Sequence, residues 1–422
     1  MVVTEMIETK KYPSLIPSAI LILTLLILAI YAYTSPRAQN TTSLSPILLD
    51  GHFEDWAARP HTLDSEGDTG KSGLDLLEIG LAHTDSHLYL HVKLNRPINL
   101  QSDRALYLTL NTDADPEPEL FYDFGNRAGA FEGRPVTQFD LGLVTLPTHS
   151  SDEFEIALSR TLFPSDTLSL TLKDPAPTGG DTAPDQDAAP GALPYTFTAS
   201  PEPDQPPLPL EKPAPASLRL VTWNMLRDGM FDQDRAPAFQ RILTALQPDL
   251  IAFQEVYNRT AKSVQVKLED WLGAPWYTVQ VGDLVLASRT PFVEDWTDTY
   301  QPLTAARTFP VMVEINGTRL ILFNAHLSCC DADAERQEQV DRVIAFLRDA
   351  QFPPNTPLIF VGDLNLVGDA AQLTTLLTGN IADETQFGPD HLPDWDATPL
   401  ADLTPRQTHA PFAYTWRDDR DT

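Results

Sequence analysis

The chain has little cysteine and little positive charge for its 422 residues. Its two cysteines, Cys329 and Cys330, are neighbours, and a bridge between neighbours is strained, so no disulfide framework is expected to support the fold. Lysine and arginine number 29 against 59 aspartate and glutamate, which gives a net charge of −30. Such a surface repels nucleic acid and anionic lipid headgroups on average. The composition therefore argues against a general DNA-coating protein.

Long uncharged apolar runs are also scarce, and one stands near the N-terminus, "LIPSAILILTLLILAIYAY" at residues 15–33. As a helix it spans about 28 Å, close to the ~30 Å hydrocarbon core of a bilayer. Lys10 and Lys11 precede the run and Arg37 follows it, which favours a cytoplasmic N-terminus. A cleaved secretory signal is the alternative, and it exports the chain equally. We expect a membrane protein with the bulk of the chain extracytoplasmic, divided into a short segment at 1–14, a transmembrane signal anchor at 15–33 and a polar spacer at 34–43.

Residues 44–200 carry the pattern of an all-β sandwich. Asp50-Gly51 indicates a turn, Trp56 is a large anchor, and "HLYLHVKL", "ALYLTLN" and "DEFEIALS" alternate apolar and polar residues. Several such strands separated by turns are typical of a sandwich. "NTDADPEPE" at 111–119 is either a calcium-binding loop or a solvated acidic turn. The opening "DGHFEDW" and the strands "LYLHVKL" and "DEFEIALS" resemble carbohydrate-binding family 9-like domains of exported bacterial proteins, which implies a glycan partner.

Residues 201–216, within "PEPDQPPLPLEKPAPAS", are dense in proline. Proline at this density cannot join a sheet and stays extended. The stretch predicts a semi-rigid linker between the sandwich and a C-terminal domain at 217–422.

The C-terminal domain has four predicted strands that end in polar groups. "LRLVTWN" ends at Asn224, "PDLIAFQE" at Glu255 and "TRLILFNAHLS" near His326, while the apparent core strand "PLIFVGDLN" delivers Asp363 and Asn365. Strands that share a sheet system and run the same way would gather these groups at one rim. Intervening segments carry apolar residues at helical spacing: Phe239, Ile242, Leu243 and Leu246, then Val340, Val343, Ile344 and Leu347.

These polar groups suit phosphoester chemistry as a set. Carboxylate and carboxamide oxygens suit Mg²⁺, which polarises a phosphoryl oxygen and offsets the charge that develops during in-line attack. Asp363 can orient or deprotonate the attacking water, Asn365 can fix its geometry and His326 can donate a hydrogen bond to a phosphoryl oxygen. Taken singly, each residue has an ordinary structural interpretation as a strand end, turn or cap. The combination and its order are the specific signal.

The sequence of motifs "TWN", "FQE", "NAHL" and "GDLN" resembles the endonuclease/exonuclease/phosphatase superfamily, the clan of pancreatic deoxyribonuclease, over residues 217–422. The resemblance implies a four-layer α/β/β/α sandwich, so that the whole chain is of the α+β class. It implies that Asn224 and Glu255 hold Mg²⁺ or Mn²⁺, that His326 contacts the phosphate, and that Asp363 and Asn365 act on the nucleophile.

The chain departs from the family pattern at its end. The family closes with an R-x-D-Y strand and an S-D-H-x-P strand, whereas this chain ends at "AYTWRDDRDT". We therefore expect a domain that lacks its final strands and is a fragment of the family unit. "PDHLP" at 389–393 holds Asp390 and His391 in the right order, but it precedes the "YTW" segment and follows no apolar strand. We interpret it as a coincidence.

Two functional hypotheses remain open on the sequence. The first is an exported, membrane-anchored, Mg²⁺-dependent phosphoesterase that acts on nucleic acid, a phospholipid headgroup or a sugar phosphate. The second is a non-catalytic surface protein that binds a glycan or another ligand and carries a degenerate phosphoesterase domain.

Overall fold

The computed structural model describes most of the chain after residue 44. No helix in this described part is long and apolar enough to cross a membrane. The predicted anchor at 15–33, with the segments at 1–14 and 34–43, lies outside the described residues. All elements below belong to the compact unit Pro46–Thr422. The described ranges are 45–70, 73–101, 106–113, 115–176, 179–185, 192–202, 209–210, 212, 218–296, 305, 307–350, 352–407 and 410–415.

The N-terminal half is built from two antiparallel sheets. Its strands are β1 His61–Leu63, β2 Leu76–His83, β3 His87–Ile98, β4 Tyr107–Asn111, β5 Leu120–Asp123, β6 Ala128–Phe131, β7 Arg134–Thr137, β8 Val144–Leu146, β9 Ser151–Ser159, β10 Thr167–Lys173, β11 Thr182–Ala183 and β12 Leu193–Thr196. The first sheet has the order β1-β2-β3-β9-β8. The second has the order β11-β10-β4-β5-β6-β7, and β12 also pairs with β10.

One core lies between these sheets. Leu88, Leu90 and Val92 of β3 pack in the same buried cluster as Leu108 and Leu110 of β4. Residues at every second position share a face of a strand, which is why the alternating pattern of the sequence places these side chains inward. The three strands predicted from alternation are therefore present, and the two sheets form a sandwich.

The C-terminal half contains two mixed sheets of four strands. They comprise β13 Leu220–Asn224, β14 Leu250–Gln254, β15 Tyr277–Val281, β16 Leu284–Ser288, β17 Phe292–Asp295, β18 Thr308–Ile315, β19 Thr318–His326 and β20 Leu358–Asp363. The sheets have the orders β13-β14-β16-β15 and β17-β18-β19-β20. β13 runs parallel to β14, and β19 runs parallel to β20. The carboxyl ends of each parallel pair consequently meet at one edge.

Helices cover the outer faces of these sheets. The helices are α1 Ala236–Leu246, α2 Ala261–Leu272, α3 Asp333–Asp349, α4 Ala371–Thr378 and α5 Glu384–Phe387. Leu250 and Ala252 of β14 face a core shared with β18 and β19, whereas Ile251 and Phe253 face α1 and α2. α3 packs on the far side of β19. The order of layers is helix, sheet, sheet, helix, and the predicted α+β class is confirmed.

A buried polar pair joins the two C-terminal sheets just below their common rim. Gln254 Nε2 donates to Asn324 Oδ1 at 2.8 Å, and both residues are almost fully buried. Asn324 Nδ2 in turn donates to the carbonyl oxygens of Phe253 and Val285. Buried amides whose hydrogen bonds are made fix a single arrangement, because an unpaired polar group in a core is costly. The pair therefore fixes the register of one sheet against the other next to Glu255.

The sandwich contacts the segment that follows β20. Ser150 N donates to Gly368 O at 2.7 Å, Thr148 Oγ1 donates to Leu366 O at 3.1 Å, and Asn99 Nδ2 donates to Val367 O at 2.9 Å. We call residues 366–370 the strap. Since the strap begins one residue after Asn365, the sandwich helps to fix the chain that leaves the candidate site.

Some expectations from the sequence differ from the structure. The strand predicted in 357–365 is present as β20, and its apolar side chains pack against the cores on both faces. It is less buried than its apolar run suggests, because among the described strands β20 pairs only with β19 and its six residues are half-buried. Ile242 is 40% exposed, so the buried stripe of α1 is narrower than its apolar pattern. Cys329 and Cys330 are bonded to each other and link no separate elements.

Candidate active site

Asn224 connects two carboxylates that are far apart in the sequence. Its Nδ2 donates to Glu255 Oε1 at 2.9 Å and to Asp363 Oδ2 at 2.8 Å. Asn224 is the last residue of β13, Glu255 follows β14, and Asp363 ends β20 in the other sheet. The structure therefore brings these three predicted residues together across the two sheets.

The chain after Asn224 turns sharply to reach Glu255. Leu226, Arg227 and Asp228 all have positive φ, between 47° and 59°, and Glu255 has φ 63°. Such angles are uncommon for residues other than glycine and persist where surrounding contacts hold them. Here Leu226 N donates to Asn224 Oδ1, and Arg227 N donates to Glu255 Oε2 at 2.8 Å. The turn thus fixes both oxygens of the Glu255 carboxylate, and it directs the Asn224 oxygen to the backbone.

Asp363 is placed by a close approach between β19 and β20. Gly362, with φ 143°, pairs with Ala325, and a Cβ on Gly362 would lie 2.0 Å from Ala325 O. Only glycine fits there without a backbone shift. Beyond it, Asn365 N donates to Asp363 Oδ1 at 3.2 Å, and Asn365 Nδ2 donates to Leu327 O at 2.9 Å. Asn365 therefore lies beside Asp363 with its side chain bonded to the backbone after β19.

His326 lies opposite Asp363 in the strand register and belongs to a second cluster. Its Nδ1 lies 2.6 Å from Asp283 Oδ2 and 2.9 Å from Arg307 Nη2. One ring nitrogen cannot donate to a carboxylate and accept from a guanidinium at the same time. We assign the proton to Nδ1, donating to Asp283, because that contact is shorter and charge-assisted. This assignment leaves Nε2 as the nitrogen available to a ligand.

The charges of the Asn224–Glu255–Asp363 cluster and of the His326–Asp283–Arg307 cluster act on each other. Burial by itself would raise the pKa of Asp283, but the hydrogen bond and charge of His326, with the charge of Arg307, outweigh it and lower that pKa. Burial raises the pKa of Tyr257, and the nearby charges of Glu255 and Asp283 raise it further. Val256 N also donates to Asp283 O at 2.9 Å. Glu255 and Asp283 are therefore neighbours at the same end of the domain.

Sequence reasoning did not identify Asp283 or Arg307. Asp283 follows Gly282 in the turn between β15 and β16, where a Gly-Asp pair is an ordinary turn signal. Arg307 directly precedes β18. Nothing in the local pattern of either residue indicates a histidine partner. The one clue to Asp283 is chemical, since a catalytic histidine such as His326 commonly has a carboxylate partner.

Asp390 and His391 lie elsewhere. Together with Leu358 they line a groove, and Leu358 begins β20 while Asp363 ends it. Five residues of extended chain span about 16 Å. Asp390 Oδ1 accepts a hydrogen bond from Ile381 N at 2.7 Å, which is a structural contact. These two residues are not part of the cluster around Asp363.

The geometry defines a class of domain in which two packed sheets, covered by helices, present carboxylates, a carboxamide and a carboxylate-bound histidine at one rim. Residues 221–420 match the model of the Endonuclease/Exonuclease/phosphatase family, and this segment belongs to that family. The C-terminal domain is accordingly a metal-dependent phosphoric ester hydrolase domain of this superfamily. No curated protein matches the chain.

Several solved structures align with part of the chain. A β-hairpin deletion mutant of beta toxin from Staphylococcus aureus is 17% identical, with 36% of this chain and 68% of that chain covered and a TM-score of 0.28. TDP2 of D. rerio, complexed with a single-strand DNA product, is 24% identical, with 37% and 64% covered and a TM-score of 0.29. The human nocturnin catalytic domain with bound sulfate is 18% identical, with 35% and 64% covered and a TM-score of 0.27. The chain thus spans about two thirds of the length of each structure.

Proposed function

We propose that the protein hydrolyses a phosphoester with the help of one divalent cation, Mg²⁺ or Mn²⁺, by in-line attack of water. The observation that carries this proposal is the bridge from the Asn224 amide to the carboxylates of Glu255 and Asp363. The His326–Asp283 pair lies at the same end of the domain.

The donor set fits such a cation. Glu255 and Asp363 are held near each other by a neutral amide, and no described lysine, arginine or histidine forms an ion pair with either one. Mg²⁺ is typically bound by one or two carboxylates and keeps several waters, so a larger protein ligand set is not required. Glu255 is the proposed principal ligand. Asn224 has its oxygen on Leu226 N and its amide hydrogens on the carboxylates, so its role as a direct ligand stays a prediction.

The protein groups then divide the chemistry among them. Asp363 orients the attacking water and accepts its proton, and Asn365 fixes the position of that carboxylate through its backbone N–H. His326, as an imidazolium whose Nδ1–H stays on Asp283, donates from Nε2 to a phosphoryl oxygen. The bound cation supplies Lewis-acid polarisation of the phosphoryl group.

The acidic composition bears on the substrate. A chain with a net charge of −30 repels a long polyanion, so we propose a substrate with one or a few phosphates in preference to extended nucleic acid. A headgroup or sugar phosphate fits this condition. Attachment to a membrane through residues 15–33, with the rest of the chain exported, and a glycan at the sandwich remain proposals supported by the sequence alone. Fractionation of cells and protease treatment of intact cells would test the first.

A hydrolysis assay tests the proposed function. The full chain in detergent is assayed on a chromogenic phosphodiester and a phosphomonoester with Mg²⁺, with Mn²⁺ and with EDTA. We expect activity that EDTA removes, and Glu255→Gln should lower it by at least about 100-fold. Glu335→Gln, an exposed glutamate at the start of α3, is the matched control. Metal-independent activity would contradict the proposal, and absence of hydrolysis in every condition would favour the non-catalytic binding protein.

A further inference from the structure

Two histidines and a glutamate meet on the face of the five-stranded sheet that points away from the sandwich core. They come from three neighbouring strands, His61 from β1, Glu78 from β2 and His91 from β3. Gly80 pairs with His61 on one side and with His91 on the other. Glu78 is two residues before Gly80 and shares its face of the sheet. The two imidazoles therefore stand on either side of a position without a side chain.

Gly80 leaves the space that the His61 ring occupies. A Cβ at this position would lie 2.6 Å from His61 Cδ2, 2.8 Å from His61 Nε2 and 3.1 Å from the Trp56 ring. The centroids of the His61 and His91 rings are 5.1 Å apart, and Trp56 stacks on His91 at 5.3 Å. The packing thus holds both imidazoles close together under an aromatic cover.

Each imidazole contacts a carboxylate through one nitrogen and has the other buried without a partner. His91 Nε2 lies 2.7 Å from Glu153 Oε1, and His61 Nδ1 lies 3.2 Å from Glu78 Oε1. His91 Nδ1 and His61 Nε2 are buried and have no hydrogen-bond partner among the described residues. The side chain of His91 is only 4% exposed. A buried polar atom without a partner is costly, so two of them on adjacent rings point to a ligand.

We propose that His61, Glu78 and His91 form a binding site for a divalent transition metal, with zinc as the preferred ion. One ligand atom from each of the three residues lies within 4.8 Å of the others. Imidazole nitrogens with a carboxylate oxygen are a donor set that zinc uses, whereas Mg²⁺ and Ca²⁺ take oxygen ligands. The site therefore differs in chemistry from the oxygen donors at Glu255 and Asp363.

A carboxylate partner supports a metal ligand role for His91. A metal-bound histidine usually gives its second ring N–H to a carboxylate, which fixes the ring and strengthens the ligand, and Glu153 is placed to accept it from His91. Glu78 and His61 retain 26% and 14% side-chain exposure, so an ion can enter from solvent.

The ion would also have a structural consequence. β1 is a three-residue strand at the edge of its sheet, and one bound ion would connect it to β2 and β3. We therefore expect zinc to raise the unfolding temperature of the sandwich, since a ligand that binds only the folded state stabilises it.

Metal titration of the untagged full chain tests the site. The protein is stripped with a chelator, and zinc and cobalt are then added separately, with bound metal measured by mass spectrometry and cobalt coordination by visible absorption. We expect one equivalent, in addition to any metal bound at Glu255, that shows the absorption of an imidazole-ligated tetrahedral site. His61→Gln should abolish that signal. Glu153→Gln, which removes the carboxylate that contacts His91 and Lys93 but none of the three ligands, should weaken binding by about 10- to 100-fold.

Controls separate the site from other effects. His52→Gln changes an exposed histidine four residues before Trp56 in the sequence, and this variant should bind zinc like the wild type. Glu255→Gln should also leave this equivalent in place, so the outcome does not depend on the proposed hydrolysis. Circular dichroism of each variant confirms folding, and Glu78→Gln keeps both imidazoles if His61→Gln is unfolded. Equal zinc affinity in the wild type and in the folded His61→Gln or Glu78→Gln variant would overturn the proposal, as would a wild type that binds no zinc.

Discussion

Asp283→Asn is the substitution that most directly tests how the candidate site operates. The change is nearly isosteric and removes only the charge of the carboxylate that lies 2.6 Å from His326 Nδ1. In the proposed mechanism, Asp283 holds the imidazole with its proton on Nδ1 and stabilises positive charge on the ring. An asparagine can instead turn its NH₂ group toward Nδ1, which makes Nδ1 an acceptor and removes the negative charge that stabilises the doubly protonated ring.

The size of the effect follows from the burial of the pair. The side chains of His326 and Asp283 are 6% and 15% exposed, so water screens their interaction little. A hydrogen bond to a charged group contributes about 1.5–3 kcal/mol. At 1.36 kcal/mol for each factor of ten, that range corresponds to a loss of about 10- to 150-fold in kcat/KM. Because the pKa of Asp283 is lowered below its usual 3.8, its carboxylate stays charged above about pH 4, and protonation of Asp283 should not mask the loss there.

A double-mutant cycle provides the assay. kcat/KM is measured with Mg²⁺ for the wild type, Asp283→Asn, His326→Gln and the double variant on one phosphodiester. If Asp283 acts through His326, it should matter little once the histidine is gone. Asp270→Asn, an exposed aspartate in α2, is the control. A loss of less than twofold in the single variant, or an equal loss with and without His326, would refute the reasoning.

Three further predictions concern the fold around the site and in the sandwich. Burial raises the pKa of Glu155 to about 8, so the folded state keeps a proton that the unfolded state releases. The free energy of unfolding should therefore fall as pH rises from about 4.5 to 8, and Glu155→Gln should reduce that pH dependence in urea unfolding. Gly362→Ala should unfold or inactivate the C-terminal domain, whereas Gly317→Ala, in an open turn, should lower the free energy of unfolding by about 1 kcal/mol. Equal thermal stability of the two variants would contradict the close approach of β19 and β20 at Gly362. Ser150→Ala removes the hydroxyl that accepts a hydrogen bond from Ala370 N, and it should lower the free energy of unfolding by about 1 kcal/mol. Because the strap follows Asn365, kcat should also fall a few-fold, and an unchanged kcat would show that the strap does not affect the site.

The sequence predicted those parts of the fold that depend on the periodic spacing of apolar residues within one strand or helix. The alternation of β3 and β9 and the apolar stripe of α3 are strong because one face of each element is buried, and all three elements are present. The half-buried state of β20 could not be predicted, because an edge strand and a central strand can carry the same apolar run. Ile242 shows the same limit, since an apolar residue at helical spacing does not reveal what covers it.

The candidate site divides in a similar way. Asn224, Glu255 and Asp363 were predictable because each ends or directly follows a strand, and the carboxyl ends of parallel strands share an edge of a sheet. Asp283 was not predictable, since its contact with His326 depends on the turn between the antiparallel strands β15 and β16. The orientation of the Asn224 carboxamide could not be predicted from the sequence either, because its NH₂ group can face a carboxylate or its oxygen can face a cation. The roles of these residues in catalysis stay predictions.

The charges around the site constrain the order of events in the proposed reaction. Glu255, Asp363 and Asp283 contribute three carboxylates, and among the described residues Arg307 is the arginine that forms an ion pair with one of them. A phosphate about 5 Å from a single carboxylate is repelled by about 1 kcal/mol in water and about 3 kcal/mol at an effective dielectric constant of 20. A phosphoester anion would thus meet net repulsion at this rim without a cation. The three carboxylates and Arg307 sum to −2, and one divalent ion on Glu255 cancels that charge and removes the repulsion. Metal and substrate should therefore bind with positive coupling, each increasing the affinity for the other by the same factor.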